Sequence, residues 1–82
     1  MSYEVIYEIQ FLDLAAGFIR DDVHGVAALF AHIDQLAVDP RPETSFPYGS
    51  PDRRRLHAGR YRVMYLIDEK AQTIRIGHLG CT

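Results

Sequence analysis

The stretch from Arg53 to Leu66, RRRLHAGRYRVMYL, constrains the fold of this chain more than any other. It reads as two short strands folded back on each other at Ala58-Gly59, because β-branched and aromatic residues flank a glycine that can supply the turn. A two-residue turn there sets His57 against Arg60, Arg55 against Arg62, Arg53 against Met64 and Leu56 against Tyr61. Side chains alternate faces along a strand. This register therefore collects Arg53, Arg55, His57, Arg60 and Arg62 on one face, and Leu56, Tyr61, Val63 and Tyr65 on the other. Like charges directly opposite one another destabilise a hairpin. A surface meant only for water would intersperse Asp or Glu among them. An anion, a phosphate chain above all, gives the cluster a purpose; the alternative is a basic strand whose arginines splay into solvent.

The charge of the whole chain supports a local anion site. Its net value is −2, but up to Asp52 nine acidic groups face two arginines, whereas from Arg53 onward seven basic groups face two acidic ones. Such asymmetry is the footprint expected of a basic patch on an otherwise acidic protein. With 82 residues, 48% of them hydrophobic, the chain suits a single domain over residues 1–82 with one modest core. No apolar run approaches the ~20 residues of a membrane helix, and the first ten residues alternate in character unlike a signal peptide. The one cysteine, Cys81, has no internal partner for a disulfide. A small domain without covalent staples fits the reducing cytoplasm.

From Tyr3 to Gln10 the apolar residues Tyr3, Val5, Tyr7 and Ile9 alternate with Glu4, Ile6, Glu8 and Gln10, which predicts a strand. From Phe11 the period changes: Phe11, Leu14, Ala15, Phe18 and Ile19 fall at helical spacing up to about Arg20. Asp21 or Asp22 can cap a second helix, whose apolar positions are Val26, Leu29, Phe30, Ile33, Leu36 and Ala37. Asp39-Pro40-Arg41-Pro42 stops it, and 43–52, with Pro47, Gly49 and Pro51, reads as an irregular loop. Strands follow at 52–57, 60–68 and 72–79, with a turn around Glu69-Lys70. The fold class is therefore α+β: strand, helix, helix and a three-strand antiparallel meander, with both helices on one face of a small sheet.

The remaining chemistry-bearing residues point nowhere else. His24 and His32 lie two helical turns apart, whereas a helical metal pair needs i, i+4, and Cys81 lacks a partner at ligand spacing; no metal or other cofactor is implied. Ser45, Ser50, Asp52 and His57 lack the glycine pattern of a nucleophile elbow. Gly77 and Gly80 in IGHLG open no helix and make no phosphate loop. His78 joins the basic face opposite Arg62 if the turn after Asp68 has three residues; a turn of two or four sends it to the other side. Tyr61 and Tyr65 read as core aromatics with hydroxyls satisfied at the rim.

The element order, the LAVDPRP stop, RLHAGRYRVMYLID and the closing HLG strand resemble the RelE/ParE toxin superfamily of bacterial toxin–antitoxin proteins over essentially the whole chain. The most specific part is Arg55-Leu56, Gly59 and Tyr61-Arg62-Val63 followed by Tyr65. The resemblance implies a cognate antitoxin as partner. For RelE-like members it also implies cleavage of mRNA on the ribosome; ParE-like members inhibit DNA gyrase instead. Carried over by motif, Arg62 matches the arginine that stabilises the transition-state phosphate. Arg53 and Arg55 take the places of two basic residues on the preceding strand, and Arg54 and Arg60 add phosphate-binding charge. The pattern departs after the last-strand glycine: Cys81 follows Gly80 where RelE-like enzymes usually carry an arginine, and the terminal tyrosine often found in them has no counterpart.

Attack of a ribose 2′-OH on its own phosphate needs a base, an acid and cations for the phosphoryl oxygens. Arginine meets the last need through its planar fork but is a poor proton shuttle. His57 and His78 are the nearby side chains of the type that exchanges protons near neutral pH. The leading expectation is a ribosome-dependent endoribonuclease toxin with catalytic residues Arg62, Arg55, Arg53, His57 and His78. The alternatives are a ParE-like gyrase inhibitor and a family member that binds antitoxin without catalysis.

Overall fold

A computed structural model describes residues 2–81. The elements are β1 (Glu4–Tyr7), α1 (Ile9–Ile19), α2 (Val23–Gln35), β2 (Ser45–Pro47), β3 (Arg53–Ala58), β4 (Tyr61–Asp68) and β5 (Thr73–Cys81). The strands form a single sheet in the order β1-β5-β4-β3-β2. β1 runs parallel to β5, and the other neighbours are antiparallel. The fold is thus the expected α+β arrangement. The helix pair between β1 and the meander is the long connection that a parallel pairing requires.

Both helices bury one stripe against the same face of the sheet. Phe11 and Ala15 of α1 and Val26, Leu29 and Ile33 of α2 meet Leu56, Tyr61, Val63 and Tyr65, with Ile74, Ile76 and Leu79 of β5 beneath. Phe11, Leu29 and Ile33 are fully buried, and each contributes about 1.5–3 kcal/mol by leaving water. Asp22 is the N-cap of α2: its carboxylate accepts from the Gly25 N–H at 3.0 Å. The other carboxylate oxygen accepts the Tyr61 hydroxyl at 2.8 Å, tying the helix start to β4. A Cβ on Gly25 would lie 2.1 Å from that oxygen, so glycine there is what lets Asp22 lie over the helix end. The Tyr65 hydroxyl donates to the Pro40 carbonyl at 2.7 Å. Both core tyrosines therefore have satisfied hydroxyls.

Three local expectations are corrected. The segment taken as an irregular loop contains a strand, β2, in which Ser45, Phe46 and Pro47 pair with Leu56, Arg55 and Arg54. Pro47 is tolerated because β2 lies at the sheet edge, where a missing N–H breaks no ladder. The β3–β4 turn is Gly59-Arg60, not Ala58-Gly59: Ala58 pairs with Tyr61, His57 with Arg62, Leu56 with Val63, Arg55 with Met64 and Arg53 with Leu66. Gly59 has φ 61°, which suits the first position of a tight hairpin turn. The one-residue shift replaces the repulsive Arg55–Arg62 pair by pairings without two arginines face to face.

The β4–β5 connection is also longer than three residues, since Asp68 pairs with Thr73. Its last residue, Gln72, has φ 56°, and the Asp68 carboxylate accepts from the Ala71 N–H at 3.0 Å. A four-residue turn alone would send His78 to the helix side. The ladder, however, shifts register between Met64 and Tyr65: Tyr65 pairs with Ile76, but Met64 pairs with His78. Gly77 is the extra residue of this bulge, and the slip returns His78 to the face opposite the helices.

Candidate functional site

The face of the sheet turned away from the helices carries the basic cluster. β3 contributes Arg53, Arg55 and His57; β4 contributes Arg62, Met64 and Leu66, their register partners in reverse order. β5 adds Arg75 opposite Leu66, His78 opposite Met64 and Gly80 opposite Arg62. The result is a basic band across three strands. On one side it is bordered by β2, whose Phe46 pairs with Arg55. On the other lies β1, where Glu4 and Ile6 pair with Thr73 and Arg75.

Within the band, Arg55, Arg62, Met64, His78 and Gly80 enclose one concavity of about 190 Å³. Two guanidinium groups thus converge on one space with an imidazole beside them. Gly80 contributes no side chain to that space, so the strand backbone forms its wall. A neighbouring shallow groove is lined by Arg53, Arg75, His78, Tyr48, Leu66 and Glu8, among others. His78 is common to both. His57 stands on the other flank of Arg62, its ring 5.5 Å from that of Phe46 and nearly perpendicular to it. Arg55 is steadied by Tyr48, whose ring centroid lies 5.0 Å from its guanidinium carbon.

Among the described residues, both salt bridges belong to Arg41, which reaches Asp52 at 2.8 Å and Glu69 at 2.9 Å. No carboxylate among the described residues lies within 4 Å of the guanidinium nitrogens of Arg53, Arg55, Arg62 or Arg75. The Arg41 contacts brace the start of β3 against the β4–β5 turn. The Tyr3 hydroxyl donates to the same Glu69 carboxylate, and that bond, followed by the one from Arg41, holds the Glu69 carboxyl below the usual carboxylate range. Asp52 and Glu69 are thereby engaged at the end of the sheet, outside the residues that enclose the concavity.

Two residues expected in the phosphate-binding set stand elsewhere. Arg54 pairs with Tyr65 on the helix side of the sheet, where its Nε donates to Ser45 Oγ at 2.9 Å. Consecutive strand residues point to opposite faces, so Arg54 cannot accompany both neighbours. Arg60 sits in the turn rather than on the strand, and its Nε donates to Cys81 Sγ at 3.1 Å. Arg75 was missed. Its place alternating with Ile74 and Ile76 was a sufficient signal for the outer face; its alignment with His78 depended on the Gly77 bulge. Among the described residues, no group of three His, Cys, Asp or Glu side chains is placed to hold a metal ion. No helix among these residues is long and apolar enough to cross a membrane.

The arrangement can bind an anion with two bidentate donors and offer imidazoles on either side of one of them. The fold that carries it recurs in toxin–antitoxin proteins. A chain of the archaeal RelE–RelB complex from Pyrococcus horikoshii superposes with a TM-score of 0.81 at 23% identity, over 99% of this chain and 96% of that one. The RelBE2 toxin–antitoxin complex from Mycobacterium tuberculosis gives 0.81 at 18% identity over 100% of both chains. The YoeB/ParE toxin from Agrobacterium tumefaciens gives 0.78 at 12% identity, covering 96% and 98%. At such identities the likeness is one of fold. No curated protein matches the chain in sequence. The family model described as the ParE toxin of the type II toxin–antitoxin system, parDE, however, matches residues 23–81, from the start of α2 through the end of β5. On that match the chain belongs to the RelE/ParE superfamily of type II toxin–antitoxin toxins.

Proposed function

We propose that this toxin is a ribosome-dependent endoribonuclease that cleaves translated mRNA and is held inactive by an antitoxin covering the basic band. The observation that carries the reading is the convergence of Arg55, Arg62 and His78 on one concavity, with no carboxylate of the described residues in a salt bridge to either arginine. A phosphate seated there would share its non-bridging oxygens between two guanidinium forks. In the reaction the ribose 2′-oxygen loses its proton, bonds to phosphorus and expels the 5′-oxygen of the next nucleotide, which gains a proton. The products are a 2′,3′-cyclic phosphate and a 5′-hydroxyl.

His78 and His57 flank Arg62 on opposite sides, which suits one for taking the proton and the other for giving it. Arg62 lies between them, where negative charge develops on the phosphoryl oxygens. The site is open and shallow. Positioning of the 2′-OH in line with the leaving oxygen must then come from the surface on which the RNA already lies, and such positioning supplies a large part of a barrier of this kind. Ribosome dependence follows. An antitoxin segment would meet the unneutralised arginines with acidic side chains, which would also steer its association. Arg53 and Arg75 extend the charged surface for flanking phosphates.

The match to a ParE family model favours a second reading, inhibition of DNA gyrase without RNA cleavage. The test is to induce the protein, map mRNA 5′ ends across coding frames and assay gyrase supercoiling in parallel. New in-frame ends with normal supercoiling support the ribonuclease; intact messages with inhibited gyrase support the second reading.

A further inference from the structure

Seven of the chain's nine Phe and Tyr residues, Tyr3, Tyr7, Phe11, Phe18, Phe30, Tyr61 and Tyr65, lie in the core or pack against it. The two that do not are Phe46, 54% exposed, and Tyr48, 48% exposed. Both lie at the same edge of the sheet, on β2 and the residue just beyond it, directly beside the basic band. Phe46 is the register partner of Arg55 and meets the His57 ring edge-on at 5.5 Å. Tyr48 is fixed by its backbone N–H, which donates to the Arg53 carbonyl at 2.7 Å, and its ring carries the Arg55 guanidinium. Exposed aromatics are unfavourable in water. These two are held in place by backbone pairing with β3 and by contacts with the His57 ring and the Arg55 guanidinium, so their rings are presented to solvent in fixed positions.

We propose that Phe46 and Tyr48 form a stacking platform for the bases of single-stranded RNA whose phosphate sits between Arg55 and Arg62. The proposal rests on the ribonuclease reading and adds which residues meet the bases. Strands are spaced ~4.8 Å apart, so β2 lies one strand from Arg55 and two from Arg62. A backbone tracking along β3 and β4 would therefore extend its bases toward β2. Stacking is sequence-tolerant because every base has a π-face, and only unpaired bases expose one. A duplex keeps its bases stacked on one another and presents no such face along its length. The alternation of aromatic and guanidinium groups is the composition of a single-strand groove. Arg53, Arg55, Arg62 and Arg75, which have no salt-bridge partner among the described residues, supply the charge complementarity to its phosphates.

The experiment measures binding of two fluorescein-labelled, fully 2′-O-methylated oligoribonucleotides at low salt, one with bases and one abasic throughout. Neither can be cleaved by its own 2′-oxygen. Phe46→Ala is expected to weaken binding of the base-bearing strand by about 5-fold or more, the lower bound for loss of one stacked base, and to leave the abasic strand unchanged. Tyr48→Phe should bind both as the parent does, and Phe46→Leu should behave like Phe46→Ala. Both positions are exposed, and an unchanged melting temperature will show that the variants fold. Equal losses for the two strands, or no loss for either with Phe46→Ala, would overturn the platform. Arg62→Ala should weaken both strands; if it weakens neither, the RNA-binding reading itself fails, not merely the platform. Loss of gyrase or antitoxin binding in Phe46→Ala with RNA binding intact would make this edge a protein interface and overturn the proposal.

Discussion

His78 stands opposite Met64 across β4 and β5, although the next pair toward the turn, Tyr65 with Ile76, is set one residue differently. The slip at Gly77 puts His78 beside Arg55 and Arg62 while Ile76 and Leu79, on either side of it, remain in the core. Without the bulge a strand cannot bury both Ile76 and Leu79, because their spacing is odd and side chains alternate. The core and the site therefore demand the same irregularity.

Arg62 and His78 are expected to differ in what their removal does. Arg62→Ala should abolish toxicity at equal protein level with no change in melting temperature, since the side chain lies outside the core. His78→Ala should slow cleavage at least ~100-fold, the lower range for loss of a positioned proton-transfer group, with RNA affinity changed far less. His57→Ala should slow cleavage on the same scale, since His57 is the register partner of Arg62 on the other side. Growth assays and single-turnover rates check all three.

RNA affinity should fall with salt. Arg53, Arg55, Arg62 and Arg75 together would release counterions with a slope of about −3 in log K against log salt, taking roughly 0.7 per phosphate for a single strand. Each single Arg→Ala substitution should reduce the slope by about 0.7. Arg54→Ala, on the helix side beside Ser45, should leave the slope unchanged. Titrations at several salt concentrations measure this.

The Asp22 carboxyl is held below the ordinary carboxylate range, first by the Tyr61 hydroxyl and then by the Gly25 N–H. A depressed native pKa stabilises the fold above the unfolded-state pKa, and that contribution is lost as pH falls through the native value. Glu69 is depressed in the same direction by Tyr3 and Arg41. Stability should therefore drop on the acid side of about pH 4, and Asp22→Asn should flatten that drop. Gly25→Ala should destabilise the protein even though alanine gains ~1 kcal/mol of helix propensity, because its Cβ displaces the capping carboxylate. Denaturant melts from pH 3 to pH 7 test both.

Tyr65→Phe removes a buried hydroxyl that bonds the Pro40 carbonyl. The loss should be about 1 kcal/mol. Ile33→Ala, in the fully buried stripe of α2, should cost about 2–5 kcal/mol. Urea unfolding midpoints compare the two directly.

Much of this molecule could be read from residue spacing. Val26, Leu29 and Ile33 announced α2, which ends at Gln35, short of the expected Asp39-Pro40 stop, and the alternation through Tyr61-Arg62-Val63-Met64-Tyr65 announced both faces of β4. The β3–β4 register could not be fixed, because Gly59 can occupy either position of a two-residue turn and only its φ of 61° in the folded chain decides. β2 was hidden because Pro47, Gly49 and Pro51 all signal loop, and its pairing depends on β3 rather than on local propensity. The alternation placed Arg53, Arg55, His57 and Arg62 on one face of the sheet, as the strand pairing has them. It could not assign His78, whose face depends on the bulge. An isolated glycine within an apolar strand, Gly77 in IRIGHL, was the available sign.

The most direct test uses purified protein with ribosomes stalled on a labelled mRNA, and identifies the ends of any fragments. An upstream fragment ending in a 2′,3′-cyclic phosphate or its 3′-phosphate product, formed only on ribosomes and absent with Arg62→Ala, is the expected result. Intact mRNA on the ribosome, with DNA gyrase inhibited by the same preparation, would contradict the ribonuclease assignment.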